Sequence, residues 1–278
     1  MKKIIIVCFI FFTLIYSFSG CTSLESRWYL GRAKPEKKVF QMKTTNHMES
    51  GMHIAAITRV CVDKKKHLLA TCSLDKSVRL WDLNAGKKLV ATLKPPIGED
   101  NEGKIYAVAI SPDGRFIACS GWTGKKWDQT INIYIWEVAS RQIIRCIKKL
   151  PNVVNDLAYS KFGDFLVAAL GGKSGIRVYK SSDYSMVFHD RHYKGSTYGV
   201  DFDIRGRLAS VSYDGYIRLY NHKFNLSGME KTKSGSFPYS VSFSPNGTQI
   251  AVGFADTKKI DVYSENDLSW QYSLNAAD

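Results

Sequence analysis

The sequence has no Cys-x2-Cys pair, and its six cysteines are too few and too scattered over 278 residues for a small disulfide scaffold. Metal-ligand spacing is missing as well: His47, His67, His189 and His222 stand apart, so neither a metal nor a cofactor is expected. There is no Gly-x-Ser-x-Gly turn to present a nucleophilic serine. Beyond residue 20 no stretch keeps a helical period over ten residues or more, which argues against bundles and helical solenoids. Acid is scarce: 25 Asp and Glu stand against 39 Lys and Arg, a formal balance of +14. What is present, 45% apolar and 23% charged residues, is the profile of a soluble domain and excludes a disordered or multi-spanning chain. A balance of +14 would suit a nucleic-acid partner, unless the chain is exported.

The first residues point to export. Lys2 and Lys3 precede a run at 4–18 that is apolar except for Thr13 and Ser17, followed by the small residues Ser19 and Gly20. Those 15 residues rise about 1.5 Å each as a helix and barely cross a hydrocarbon core of about 30 Å. A charged start, a short apolar run and small residues make a signal peptide over 1–20. Phe18-Ser19-Gly20-Cys21 resembles the lipobox of bacterial lipoproteins, with Phe18 where that pattern most often has Leu. The resemblance implies cleavage before Cys21, acylation of Cys21, and a tether over 21–36 whose Trp28 and Tyr29 suit a membrane interface. Thr22, in place of an Asp, implies an outer-membrane anchor facing the periplasm. The processed chain would have 258 residues at +12, and its charge would meet lipid headgroups, wall polymers or an acidic partner rather than nucleic acid.

The body repeats itself. Val60-Cys-Val-Asp-Lys-Lys-Lys66 aligns with Val108-Ala-Ile-Ser-Pro-Asp-Gly114, Leu157-Ala-Tyr-Ser-Lys-Phe-Gly163, Val200-Asp-Phe-Asp-Ile-Arg-Gly206 and Val241-Ser-Phe-Ser-Pro-Asn-Gly247. Their last residues are 48, 49, 43 and 41 apart. Each is an alternating strand running into a turn, and a second apolar strand follows. A third strand then ends on an aromatic: Trp81, Trp136, Tyr179, Tyr220 or Tyr263. Three to four strands in just over 40 residues is the period of a propeller blade. The expected fold is all-β, with four-stranded antiparallel blades in units at about 53–93, 104–149, 153–190, 196–235 and 238–278.

The motifs resemble WD repeats, most closely in the first unit with His53, Ile57, Val60, Ser73, Asp75 and Val78-Arg-Leu-Trp-Asp82. That resemblance implies a hydrogen-bonded structural tetrad of His53, Ser73, Asp75 and Trp81, with a degenerate version at His192, Ser212, Asp214 and Tyr220. Ser, His and Asp also make a hydrolase triad, but their recurrence at repeat spacing assigns them to blade staples. Glu102 to Gly114, Leu150-Pro-Asn-Val-Val154 and Tyr213 to Tyr220 are similar to the propeller region of bacterial proteins that also carry a caspase-like domain. No Gln-Ala-Cys-x-Gly nucleophile motif accompanies them.

Ring closure stays open at this point. Lys37-Lys-Val-Phe-Gln-Met-Lys43 reads as a candidate closing strand, yet Ser269-Trp-Gln-Tyr-Ser-Leu274 reads as the last unit's own fourth strand. A tight five-bladed ring, a blade completed by another chain, and a larger propeller cut short are the alternatives, the last being favoured. Trp122, Lys125, Lys126 and Trp127, in the longest loop of the second unit, form the candidate partner-binding patch. The basic run at 64–66 with Lys87 and Lys88 reads as a solvated edge. Cys61 and Cys146 could pair in an oxidising compartment. The expectation is a non-enzymatic, lipid-anchored scaffold for protein partners at the envelope, with no small-molecule substrate. A propeller enzyme with a site at the channel mouth is the rival.

Overall fold

The computed structural model describes residues 51–275, apart from 64, 85, 87, 97, 99 and 125–130. Among them are twenty strands and no helix. They form five sheets of four antiparallel strands each, arranged as the blades of a β-propeller.

Blade 1 comprises β1 (Ile57–Asp63), β2 (Leu68–Ser73), β3 (Val78–Asp82) and β4 (Lys88–Leu93). Blade 2 comprises β5 (Ile105–Ile110), β6 (Phe116–Gly121), β7 (Ile131–Glu137) and β8 (Ile143–Leu150). Blade 3 comprises β9 (Val154–Tyr159), β10 (Phe165–Leu170), β11 (Ile176–Lys180) and β12 (Met186–Asp190). Blade 4 comprises β13 (Thr197–Phe202), β14 (Leu208–Ser212), β15 (Tyr216–Tyr220) and β16 (Leu226–Lys231). Blade 5 comprises β17 (Pro238–Phe243), β18 (Gln249–Phe254), β19 (Lys259–Ser264) and β20 (Trp270–Asn275). Blade 5 thus has its own fourth strand, β20. The candidate closing strand at 37–43 lies outside the described residues, as do the signal and tether.

Local chemistry sets this pattern. The Val, Ile, Phe and Tyr of each strand suit a pleated, half-buried surface. Turns after the first strands place Gly114, Gly163, Gly206 and Gly247 at φ between 65° and 85°, where a side chain would be strained. Buried apolar residues gather into four clusters, each between two successive blades. The second strands, such as Leu166 to Leu170 in blade 3, lie at the centre of these clusters and are buried on both faces.

One irregularity recurs in every blade. The pairing of the first strand with the second slips by one residue, between Ile57 and Arg59, Ile105 and Ala107, Val154 and Asp156, Thr197 and Gly199, and Pro238 and Ser240. A bulge of this kind leaves one residue unpaired and re-aims its side chain. The five bulged residues are Thr58, Tyr106, Asn155, Tyr198 and Tyr239. Close approach at the bulge also explains Gly121, where a Cβ would collide with the Lys104 carbonyl and the Tyr106 nitrogen.

Candidate functional site: the loop face and channel mouth

The bulged residues open on the face where each second strand turns into the third. There the residue after each second strand donates its N–H back to the start of its blade: Leu74 to Ala56, Trp122 to Lys104, Gly171 to Val153, Tyr213 to Ser196, Ala255 to Phe237. Trp122 and Tyr213 are therefore equivalent positions on one face.

Two bulged side chains lock neighbouring blades. Thr58 Oγ1 donates to the Ile105 carbonyl at 2.8 Å, and Asn155 Nδ2 donates to the Thr197 carbonyl at 2.9 Å. Tyr198 does something else: its ring lies 4.1 Å from Tyr213 and 5.1 Å from Tyr239, centre to centre. Tyr213 in turn lies 5.1 Å from Phe237. These four rings form a continuous aromatic platform across blades 4 and 5, of which Phe237 and Tyr239 are 46% and 40% exposed. Trp122 is also exposed. Lys125, Lys126 and Trp127 of the expected patch lie outside the described residues.

Beneath the platform, Arg59 of β1 reaches across the axis. Its Nη2 donates to the Tyr198 carbonyl at 2.6 Å and the Asn155 carbonyl at 3.4 Å, and its Nε lies 3.2 Å from Asp156 Oδ1. Its guanidinium carbon sits 5.6 Å from the centre of the Tyr239 ring. Burial pushes the Asp156 carboxyl up to about 6, against the opposing pull of Arg59 and of the Val200 and Leu157 N–H groups it accepts. Asp201 nearby adds to the rise. Below Arg59 runs an axial cavity of about 790 Å³ lined by the five inner strands. No group of three or more His, Cys, Asp or Glu fit for a metal occurs among the described residues.

The staple in blade 1 is built from three of the four expected residues. His53 Nδ1 lies 2.8 Å from Asp75 Oδ2, and its Nε2 lies 2.8 Å from the Thr71 hydroxyl. The Trp81 indole N–H donates to that same Thr71 hydroxyl at 3.0 Å. Thr71 thus stands where Ser73 is expected, while Ser73 Oγ donates to the Ala55 carbonyl and accepts the Asp75 N–H. Both hydroxyls lie on one face of β2, two residues apart. Only the register, which pairs Leu69 with Trp81, puts Thr71 within reach of the indole. Burial alone would raise the Asp75 carboxyl, but the Ser77 hydroxyl and His53 hold it below its ordinary value. Thr71 is 6% exposed, so this Thr–His–Asp set is closed to a substrate.

Blade 4 departs further. His192 leaves the interior with its side chain 97% exposed, and its ring nitrogen sits 2.9 Å from Asp190. Tyr193 takes the inner position, with its hydroxyl 2.6 Å from Ser210 and 2.9 Å from Tyr220. Tyr220 donates to Asp190 at 2.6 Å. Ser210, equivalent to Thr71, replaces the expected Ser212, which bonds the Gly195 carbonyl. Asp214 pairs with Arg218 at 2.7 Å, and that guanidinium lies 4.1 Å from the centre of the Tyr193 ring. A phenol needs its own hydroxyl partners where an imidazole would bridge two groups, so Tyr193 recruits Asp190 through Tyr220.

Cys61, Cys72, Cys119 and Cys146 are all free thiols. Cys61 lies on the inner strand β1 and Cys146 on the outer strand β8, so the pairing considered from sequence is not made. The aromatic platform and the Arg59 crossing were missed in the sequence; a tyrosine recurring just before the first-strand motif, at 106, 198 and 239, was the available signal.

The family described as "WD domain, G-beta repeat" matches residues 45–82 and 87–134. The chain is 27% identical to THO complex subunit 3 of Arabidopsis thaliana over 206 residues, 73% of this chain and 60% of that protein. It is 23% identical to telomerase protein component 1 of Mus musculus over 256 residues, 86% of this chain and 9% of that protein. It is 27% identical to WD repeat-containing protein AAC3 of Dictyostelium discoideum over 190 residues, 65% of this chain and 36% of that protein. The chain spans 60% or less of the length of each. Together with the five four-stranded blades, these matches support a WD-repeat propeller.

Proposed function

We propose that this chain is a non-enzymatic interaction scaffold that holds a protein partner on its loop face and is tethered to a cell envelope by lipid on Cys21. WD-repeat relatives support the scaffold role, one of them named as the subunit of a complex. The observation that carries the docking site is the platform of Tyr198, Tyr213, Phe237 and Tyr239 at the channel mouth. Aromatics presented on a rigid sheet supply large contact area at small entropic cost, the composition of interface hot spots. The buried Thr–His–Asp staple gives no support to the enzyme reading.

A photo-crosslinking amino acid placed at Phe237 in the living source cell tests the platform. A discrete protein adduct, lost when Tyr239 is changed to Ala, is the expected outcome; no adduct, or one indifferent to Tyr239, counts against it. Labelling with palmitate tests the anchor: label should enter the chain and vanish in Cys21→Ser. Equal label in both would end the lipoprotein reading.

A further inference from the structure

Blade 4 meets blade 3 along a groove of about 540 Å³, between the outer strand β12 and the third and fourth strands of blade 4. Its floor is aromatic. The Phe188 ring of β12 stacks on Phe224 at 5.6 Å and meets Tyr220 edge-on at 5.8 Å, centre to centre. Its outer wall is β16, where Leu226 and Met229 line the groove and are 51% and 50% exposed. Its upper end, on the loop face, holds His192, Lys194, Asp214 and Arg218.

The junction of blades 4 and 5 shows what covers the equivalent place. By strand register, Met229 and Leu226, opposite Arg218 and Tyr220, correspond to Ser273 and Trp270, opposite Asp261 and Tyr263. In blade 5 the entry loop fills the position. Lys233 and Ser234 donate their N–H groups to Asp261 at 3.3 and 2.9 Å, and Ser234 Oγ lies 3.1 Å from Ser273 Oγ. The Lys233 ammonium then sits 3.4 Å from the centre of the Trp270 ring. The residue of blade 4 equivalent to Lys233 is His192, each standing four before the loop carbonyl that accepts the second-strand N–H. His192 turns outward instead, 97% exposed, and leaves Leu226 and Met229 open.

Charge distinguishes the two ends of the groove. Both carboxylates at the upper end are engaged within the fold. Asp190 accepts the Tyr220 hydroxyl and the His192 N–H, and Asp214 accepts Arg218 and the N–H groups of Lys194 and Tyr216. Lys194 and the nearby Arg191 are exposed, and among the described residues neither enters an ion pair. The free charge at this end is positive.

We propose that this groove docks an extended acidic segment of a partner protein. One large apolar side chain of the segment sits against Phe188, Leu226 and Met229, and a neighbouring Asp or Glu meets Lys194. A cleft of this volume, aromatic and aliphatic below with a few polar groups at one end, has the make-up of a binding site. Covering Leu226 and Met229 removes apolar surface from water, which drives the contact. The unpaired cations set its sign and orientation, because a carboxylate meets attraction there and a basic segment meets repulsion. No residue of the aromatic platform takes part.

Random peptides displayed on phage and panned against the full chain test this. The enriched peptides should share a large apolar residue next to Asp or Glu. A synthetic copy of the most enriched one should bind Met229→Glu about tenfold more weakly, the loss of one buried apolar contact. Lys194→Glu should weaken it by about threefold, an effect that fades at about 0.5 M salt. Tyr239→Ala, which alters only the platform, should leave it unchanged. Both substituted side chains in the groove are exposed, so the melting temperature should stay that of the parent chain. No enriched peptide, enrichment without acidic residues, or a peptide indifferent to Met229→Glu would overturn the proposal. A peptide lost with Tyr239→Ala would do so too, by placing it on the platform. Unfolding of Met229→Glu would also count against it, by showing that the chain itself covers the groove.

Discussion

The Arg59 guanidinium of blade 1 donates to the Tyr198 carbonyl of blade 4 at 2.6 Å, crossing the propeller axis rather than bonding a neighbour. It thereby ties blade 1 to blades 3, 4 and 5 at once, where among the described residues no apolar cluster binds blade 5 to blade 1. A guanidinium suits this role because its donors form a planar fork, so carbonyls and a carboxylate can be met together.

Removing that tie should be costly. Arg59→Leu leaves the Asp156 carboxylate without its cation, and breaking one side of a part-buried pair costs about 3 kcal/mol. Urea denaturation at pH 7 should show this loss, and it should shrink at pH 5, where Asp156 can take up a proton. An equal loss at both pH values would mean that packing, not charge, carries the effect.

Asp156 itself should make stability depend on pH. Its folded value of about 6 lies above the ordinary carboxylate value, so the folded protein holds a proton that the unfolded chain releases. The stability it contributes is therefore fully present below the unfolded value and is lost as pH rises through about 6, an effect on the order of 2–3 kcal/mol by pH 7. Asp156→Asn should flatten this slope between pH 4 and 7 in melts followed by circular dichroism (roughly the span of the two values). An unchanged slope would assign it to another group.

In blade 4 the neighbours His192 and Tyr193 should respond in opposite ways. His192→Ala removes an exposed ring and should change stability by less than about 0.5 kcal/mol. Tyr193→Phe strips a buried hydroxyl from Ser210 and Tyr220 and should cost about 1–3 kcal/mol. Chemical denaturation of both variants decides the matter. The reverse order would restore His192 to the staple.

Thiol reactivity should separate the cysteines. Burial pushes the thiols of Cys72 and Cys119 up to about 12, so neither offers a thiolate at neutral pH. Maleimide labelling read by peptide mass should modify Cys146, which is half-buried, well before either of them. Both should label only once the chain unfolds. Labelling of Cys72 or Cys119 in the native state would point to local opening between blades 1 and 2.

The sequence by itself determined the blade. Strand alternation, a Pro, Asp or Gly turn and a third-strand aromatic are all local, so five copies could be aligned and their order and period read directly. The staple was legible only as a set of residue types. Ser73 and Thr71 share a face of β2, and His192 and Tyr193 are adjacent, so choosing between them needs a strand register and a loop path that local pattern does not encode. The aromatic platform and the Arg59 crossing depend on bulges repeated in five blades and on groups far apart in the chain meeting at the axis. Val60 shows the limit most plainly. Its pattern matches that of Val108, Val200 and Val241, yet it lies open while they are buried, because burial depends on which blade stands opposite, and only the tertiary structure decides that.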